Sequence, residues 1–298
     1  MSADPTPAQG DAVRAERHGA TLLLTLSRPA TRNAFTPEIR EGLAAGIARV
    51  RADASIRALV ITGSGGHFCA GGDLRGIAAA TRDPATDGAT WRARMQGTQR
   101  WIHDLLTLDR PVIAAVDGAA YGAGFSLALA ADVVLATPAA RFCLSFMKLG
   151  LVPDCGAFHT LPRVVGAQRA KELMLSAREV DAAEARALGI AMELHAADAL
   201  LPRALALAAS FSTASPLAVS LVKRAMDDPG ALAALLDAEA NAQALAFGSA
   251  YFKDAVQGFL DKQPPPFTWP TPVAAHAAPP QGGDASGPAQ PAPRRPLA

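Results

Sequence analysis

Residues 112–136 read VIAAVDGAAYGAGFSLALAADVVLA, and residues 60–74 read VITGSGGHFCAGGDL. Each begins as a short apolar strand, passes through a loop of small residues and leads into a helix. Strands alternating with helices predict a parallel sheet and an α/β fold. The glycines invite a test for nucleotide fingerprints, and every test fails. A GxGxxG pattern from Gly63 needs glycine where Phe68 stands, and from Gly122 it needs glycine at Leu127. A phosphate loop from Gly66 needs lysine where Gly72 stands. The stretch GFSLA (124–128) approaches a serine-nucleophile elbow but lacks the last glycine, and Asp154 and His159 lie too close together to be its partners. A backbone role remains. Small residues at a helix start let N–H groups approach a ligand, and two facing loops would make a two-donor oxyanion hole. For either loop alone, tight strand–helix packing explains the glycines equally well.

Working outward, TLLLTL (21–26) and ALVIT (58–62) read as buried strands, and Pro111–Val116 as a third. Thr36-Pro37 opens a helix with a capping residue followed by proline, and Ile39, Leu43, Ile47 and Val50 form its apolar stripe. A short helix is predicted from Asp73 and a longer one over Trp91–Leu106. From about Gly156 the pattern is helical: 169–175, 182–188, 200–211, 217–226 and 231–247. These readings divide the chain into a loose N-terminus (1–12), an α/β core (13–200), a helical region (201–268) and a disordered Pro/Ala-rich tail (269–298), whose composition cannot offset its ordering entropy.

Composition narrows the function. Half of the 298 residues are hydrophobic, enough for a sizeable core. Lys+Arg number 28 against 27 Asp+Glu, a net charge of +1, which argues against a nucleic-acid binder. Cys69, Cys143 and Cys155 form neither a disulfide framework nor a metal-ligand spacing, so no metal is expected. The first 17 residues lack the apolar stretch of a secretory signal. The uncharged run between Asp117 and Asp132 is too short to span a bilayer. That between Arg203 and Lys223 carries four serines, a threonine and Pro216. The expectation is a soluble cytoplasmic protein without a membrane partner.

Six blocks in series resemble the crotonase superfamily of enoyl-CoA hydratases and isomerases: LSRPATRNAF (26–35), HFCAGGDL (67–74), AVDGAAYGAGFSLALAADVVLA (115–136), LGLVPDCG (149–156), LPRVVG (161–166) and RAKELML (169–175). FLDKQPPPF (259–267) resembles that family's closing helix. The resemblance implies a spiral of ββα repeats followed by a helical trimerisation region, hence a homo-oligomer, trimer or hexamer. It implies an acyl-CoA thioester as substrate, with no separate cofactor because coenzyme A belongs to the substrate. Carried over by position, the N–H groups of Gly72 and Ala123 hold the thioester oxygen. Arg28, Ala30, Arg32 and Ala70 match adenine and pantetheine contacts, and Phe259 and Lys262 match weaker ones that can serve a neighbouring subunit. Asp73, Leu74, Tyr121, Ser126 and Phe146 fall around the acyl group.

The reaction turns on the acids. The family's two hydratase glutamates fall at Ser126 and Phe146, neither of which transfers a proton near pH 7. Asp154 matches the position where isomerase-type members and a dehalogenase carry a catalytic aspartate. Its apolar neighbours Leu151, Val152 and Pro153 would raise its pKa toward that of a useful base. One carboxylate can move a proton from C2 to C4 and so shift a double bond. Asp154 as the N-cap of a helix near Gly156 is the structural alternative. The leading expectation is therefore an enoyl-CoA isomerase, straight-chain or ring-bearing. A hydratase with relocated groups, a nucleophilic use of Asp154 and a non-catalytic CoA-binding subunit stand beside it. Asp73 is expected to cap its helix, and Asp117 and Asp132 to be structural. His67 is expected to face solvent and His103 and His159 to be packed or solvated. Tyr121 either lines the acyl pocket or simply packs, and no chemistry is assigned to Cys69 or Cys155.

Overall fold

The computed structural model describes residues 12–226 and 229–270. Strand β1 (Val13–His18) turns at Gly19 into the antiparallel β2 (Thr21–Leu26), with His18 opposite Thr21. A 3-10 turn, Pro29–Thr31, leads to α1 (Pro37–Ala52), then β3 (Ala58–Gly63), α2 (Leu74–Arg82) and α3 (Gly88–Leu106). Next come β4 (Val112–Val116), β5 (Ala119–Tyr121), α4 (Ala123–Leu129), β6 (Val133–Ala136) and β7 (Arg141–Cys143). A second 3-10 turn, Ser145–Leu149, precedes α5 (Ala157–Val165), α6 (Ala167–Ser176), β8 (Val180–Asp181), α7 (Ala182–Ala187) and β9 (Glu193–Leu194). The chain continues through α8 (Ala197–Ser210), α9 (Pro216–Met226), α10 (Pro229–Gly248) and α11 (Ala250–Leu260).

The larger sheet has the order β1-β2-β3-β4-β6-β9, parallel from β2 onward, and a smaller sheet joins β5, β7 and β8. A parallel sheet covered on both faces needs apolar side chains at every position of its strands. Here Leu22, Leu24, Leu26, Leu59 and Ile61 enter the main core. The alternate residues Leu23, Val60, Ile113 and Leu135 pack instead under Leu200, Ala204 and Ala208 of α8. As the second cover of the sheet, α8 belongs with the core, and the expected boundary at residue 200 falls inside it.

Local chemistry fixes the ends of the helices. Thr36 accepts from the Ile39 N–H at 3.4 Å with Pro37 at the first turn, and Ile39, Leu43, Ile47 and Val50 are all buried. Asp87 caps α3 through the Thr90 N–H at 2.8 Å, so that helix starts three residues ahead of Trp91. The break between α8 and α9 falls where the sequence placed it, and Pro216 opens α9. Among the described residues no helix is long and apolar enough to cross a membrane. The unit that holds all of these elements ends at Thr268, close to the expected start of the tail. The expected loose N-terminus and disordered tail fall almost wholly outside the described residues.

Candidate active site

The two small-residue loops are joined backbone to backbone. Cys69 N–H donates to Ala119 O and Tyr121 N–H donates to Cys69 O, both at 2.9 Å, a short parallel bridge between the loop after β3 and strand β5. The joint admits no side chains. A Cβ on Gly124 would lie 2.2 Å from Cys69 O, and one on Gly71, whose φ is +90°, would lie 2.5 Å from Tyr121 O and 3.4 Å from Ala123 N. Glycine at 71 and 124 is therefore what brings Gly72 and Ala123 to one place. Both line a pocket of about 80 Å³. Among the described residues, neither the Gly72 nor the Ala123 N–H donates to an acceptor of the protein.

Asn33 braces this arrangement from behind. It is fully buried and donates its amide to Ser64 O at 3.0 Å and His67 O at 2.7 Å, while its Oδ1 accepts from Arg28 N–H at 2.9 Å. The loop of residues 28–33 is thereby tied to the first glycine loop.

The same pocket carries the acid. Asp154 lines it, is 7% exposed, and its Oδ2 accepts from the Gln243 amide at 3.0 Å. Its Oδ1 is buried and makes no hydrogen bond. Burial pushes the Asp154 carboxyl up to about 6, partly offset by the Gln243 amide and, more weakly, by the Cys155 thiol. Among the described lining residues Asp154 is the single ionisable group.

Asp154 does not cap α5. That task falls to Glu239 of α10, whose carboxylate accepts from Gly156 N–H at 2.9 Å and Phe158 N–H at 3.2 Å. Burial raises Glu239 to about 8; the two backbone donors oppose this, and the charge of Asp154 adds to it. Sequence reasoning missed Glu239, Gln243 and Phe247. The available signal was a pair of polar residues one turn apart in a helix otherwise rich in Ala and Leu.

A profile of the Enoyl-CoA hydratase/isomerase family matches residues 16–270. The chain belongs to this family.

Similar members of the enoyl-CoA hydratase/isomerase family include the 1,2-epoxyphenylacetyl-CoA isomerase of Escherichia coli K12, 37% identical over 83% of this chain and 94% of that protein. The 2,3-dehydroadipyl-CoA hydratase of the same organism is 36% identical over 84% of this chain and 96% of its own. The crystal structure of an enoyl-CoA hydratase/isomerase from Cupriavidus metallidurans CH34 covers 88% of this chain and 98% of its own, at 44% identity and a TM-score of 0.68. The architecture is thus the crotonase spiral with a C-terminal helical region.

The residues singled out from the sequence of this family member separate into two groups. Ala70, Gly72, Leu74, Ala123, Phe146 and Asp154 meet at the pocket. Ser126 does not: it is fully buried inside α4, its hydroxyl 3.4 Å from Gly122 O. Tyr121 points the other way, its hydroxyl on Glu179. Asp73 stands at the N-cap position of α2 but makes no side-chain capping bond, contrary to expectation. Arg28, Ala30 and Arg32 lie around the Pro29–Thr31 turn, all three exposed, and Phe259 and Lys262 are exposed at the end of α11. His67 is half-buried, with Nδ1 shut off from solvent, rather than solvent-facing. Asp117 accepts from Thr137 at 2.7 Å, and Asp132 accepts from Val112 N–H at 2.7 Å and pairs with Lys223. Burial pushes the Cys69 thiol up to about 12 and Cys155 well up also, which leaves neither a nucleophile.

Proposed function

We propose that this member of the enoyl-CoA hydratase/isomerase family is an acyl-CoA isomerase that shifts a double bond with Asp154 as its one proton shuttle. The observation that carries this reading is the pocket's acid inventory: one carboxyl, poised near 6 and with Oδ1 unbonded, in a pocket also lined by Gly72 and Ala123, whose N–H groups are unengaged among the described residues. In a 3-enoyl thioester Asp154 Oδ1 takes a proton from C2. The electron pair moves through C2 to the thioester oxygen, giving a dienolate whose oxygen the Gly72 and Ala123 N–H groups bind. The same carboxyl returns the proton at C4, and the double bond ends between C2 and C3. No group is consumed. Each oxyanion donor is worth roughly 3–4 kcal/mol in such a site, and a base near 6 is almost fully ionised at neutral pH while still able to deprotonate.

Hydration would require a second acid or base to activate water. The two positions where the resemblance puts that equipment hold Phe146, on the pocket wall, and Ser126, sealed inside α4. Leu74, Ile77, Phe146, Leu149 and Leu151 make the wall apolar, suited to a hydrocarbon or ring-bearing acyl group. The E. coli relative named for a phenylacetyl-CoA derivative supports the ring-bearing class.

The same reading takes the working form to be a homo-oligomer, trimer or hexamer. Leu217, Leu221, Val222 and Met226 of α9 stand 55–77% exposed, an apolar face that a second copy would cover. Three buried free thiols suit a reducing, cytoplasmic setting.

Separate incubations with 3-hexenoyl-CoA and crotonyl-CoA test the assignment. The expected result is growth of the conjugated 2-enoyl absorbance from the first and no loss of it from the second. Rapid hydration of crotonyl-CoA without isomerisation of 3-hexenoyl-CoA overturns it.

A further inference from the structure

We infer that Gln243 is a positioning residue that dictates which oxygen of Asp154 meets the substrate. The inference rests on the isomerase reading for its catalytic consequence, and on geometry alone for the hold on Asp154. Gln243 is 1% exposed on α10, and both ends of its amide are engaged. Oε1 accepts from Val152 N–H at 3.1 Å, and Nε2 donates to Asp154 Oδ2 at 3.0 Å. The backbone N–H of Val152 sets the orientation. Flipping the amide would place a donor against that donor and an acceptor against the carboxylate, two repulsions in a buried site. Val152 lies two residues before Asp154, so the bidentate grip fixes the segment and the carboxylate together.

The consequence is a division of labour within one carboxyl group. Oδ2 is committed to Gln243, which leaves Oδ1 as the atom free to exchange a proton with C2 and C4. A carboxylate free to rotate about χ2 would present either oxygen, and an Asp154 without the amide donor would lose the one neighbour holding it firmly in the ionised form. The other titratable groups near Asp154 are Glu239, on the same helix as Gln243, and the Cys155 thiol, next in the chain. The remaining described pocket walls contribute no ionisable side chain. Burial keeps both Glu239 and Cys155 protonated through the range in which Asp154 titrates, so the Gln243 amide is the main group favouring the Asp154 anion.

Two variants separate this role from packing. Gln243→Leu removes both hydrogen bonds. Gln243→Glu keeps an acceptor for Val152 N–H and replaces the donor to Asp154 with an oxygen, so it carries the test if the leucine variant does not fold. The Asp154 titration is read without substrate, from the carboxyl infrared band of each protein minus that of its Asp154→Asn counterpart, and kcat and KM for 3-hexenoyl-CoA are measured across pH. We expect the wild-type midpoint near 6 to rise by about one unit or more in both variants. We expect kcat at pH 7 to fall roughly tenfold or more while KM changes less than about twofold. A midpoint that stays in place in Gln243→Glu overturns the inference, whatever reaction the protein catalyses. A midpoint that moves, in a protein inert toward 3-hexenoyl-CoA, overturns the isomerase reading and leaves the hold of Gln243 on Asp154 standing.

Discussion

Glu239 relieves Asp154 of a structural duty: by accepting the Gly156 and Phe158 N–H groups it caps the helix that Asp154 precedes, and Asp154 turns its own carboxyl into the pocket. Two buried acids on either side of one helix start thus do different work. The division follows from what each one touches. Glu239 meets two backbone donors, while Asp154 meets one amide and otherwise an apolar cavity.

Replacing Asp154 by Asn keeps an acceptor for Gln243 and removes the base. The expected outcome is a loss of roughly 10²–10⁴-fold in kcat with 3-hexenoyl-CoA, at unchanged or higher Tm at pH 8, where the wild type bears a buried charge. In the wild type, kcat should fall about tenfold per unit of pH below a midpoint near 6, because the base works only when ionised. A rate that ignores either change removes Asp154 from the chemistry.

Glu239 titrates near 8 when folded, against an ordinary value of 4.5. Between those limits the folded chain binds more protons than the unfolded one, so this group contributes stability at low pH that is lost as pH rises toward 8. Glu239→Gln removes that slope. Melting curves at pH 5 and pH 8 should show a smaller drop in the variant than in the wild type. Parallel behaviour of the two proteins would show that Glu239 is already charged at pH 5.

Gly71→Ala tests the joint between the loops. The added methyl meets Tyr121 O at 2.5 Å in a backbone with φ of +90°. The expected cost is roughly 3 kcal/mol or more, read as about 2–4 °C of Tm per kcal/mol at this size, with kcat lowered beyond what the folded fraction accounts for. A variant of normal stability and rate would mean the N–H pair does not depend on this contact.

Tyr121→Phe is the contrasting case. Its hydroxyl sits on Glu179 outside the pocket, so kcat and KM should stay within about twofold of the wild type. A large fall in kcat would place the phenol in the reaction.

How much of this was legible in the sequence depends on how local each cause is. The strands of the main sheet announce themselves because both faces are covered, and TLLLTL has no other stable place. α1 is legible from Thr36-Pro37 and its stripe. The first strand is not: VRAERH is an edge strand with only part of one face buried. β5, β7, β8 and β9 are two or three residues long, too short for any periodicity. At the site, the Gly72–Ala123 pairing and Asp154 follow from blocks of sequence that each lie within a few residues. Gln243 lies 89 residues from the aspartate it holds, and Glu239 lies 83 from the N–H it caps. Nothing local to Asp154 decides whether it caps α5, and the cap reading stays open until Glu239 of α10 is seen taking that place.

That distance sets an order of events during synthesis. The sheet, both glycine loops and Asp154 have all left the ribosome well before α10 does, yet until Gln243 arrives the aspartate has no fixed orientation and the pocket lacks a wall. A growing chain therefore holds both glycine loops early and the partner of its buried aspartate late. Under the isomerase reading, activity waits for α10, because a chain cut short before it would carry both loops but not the amide that holds Asp154.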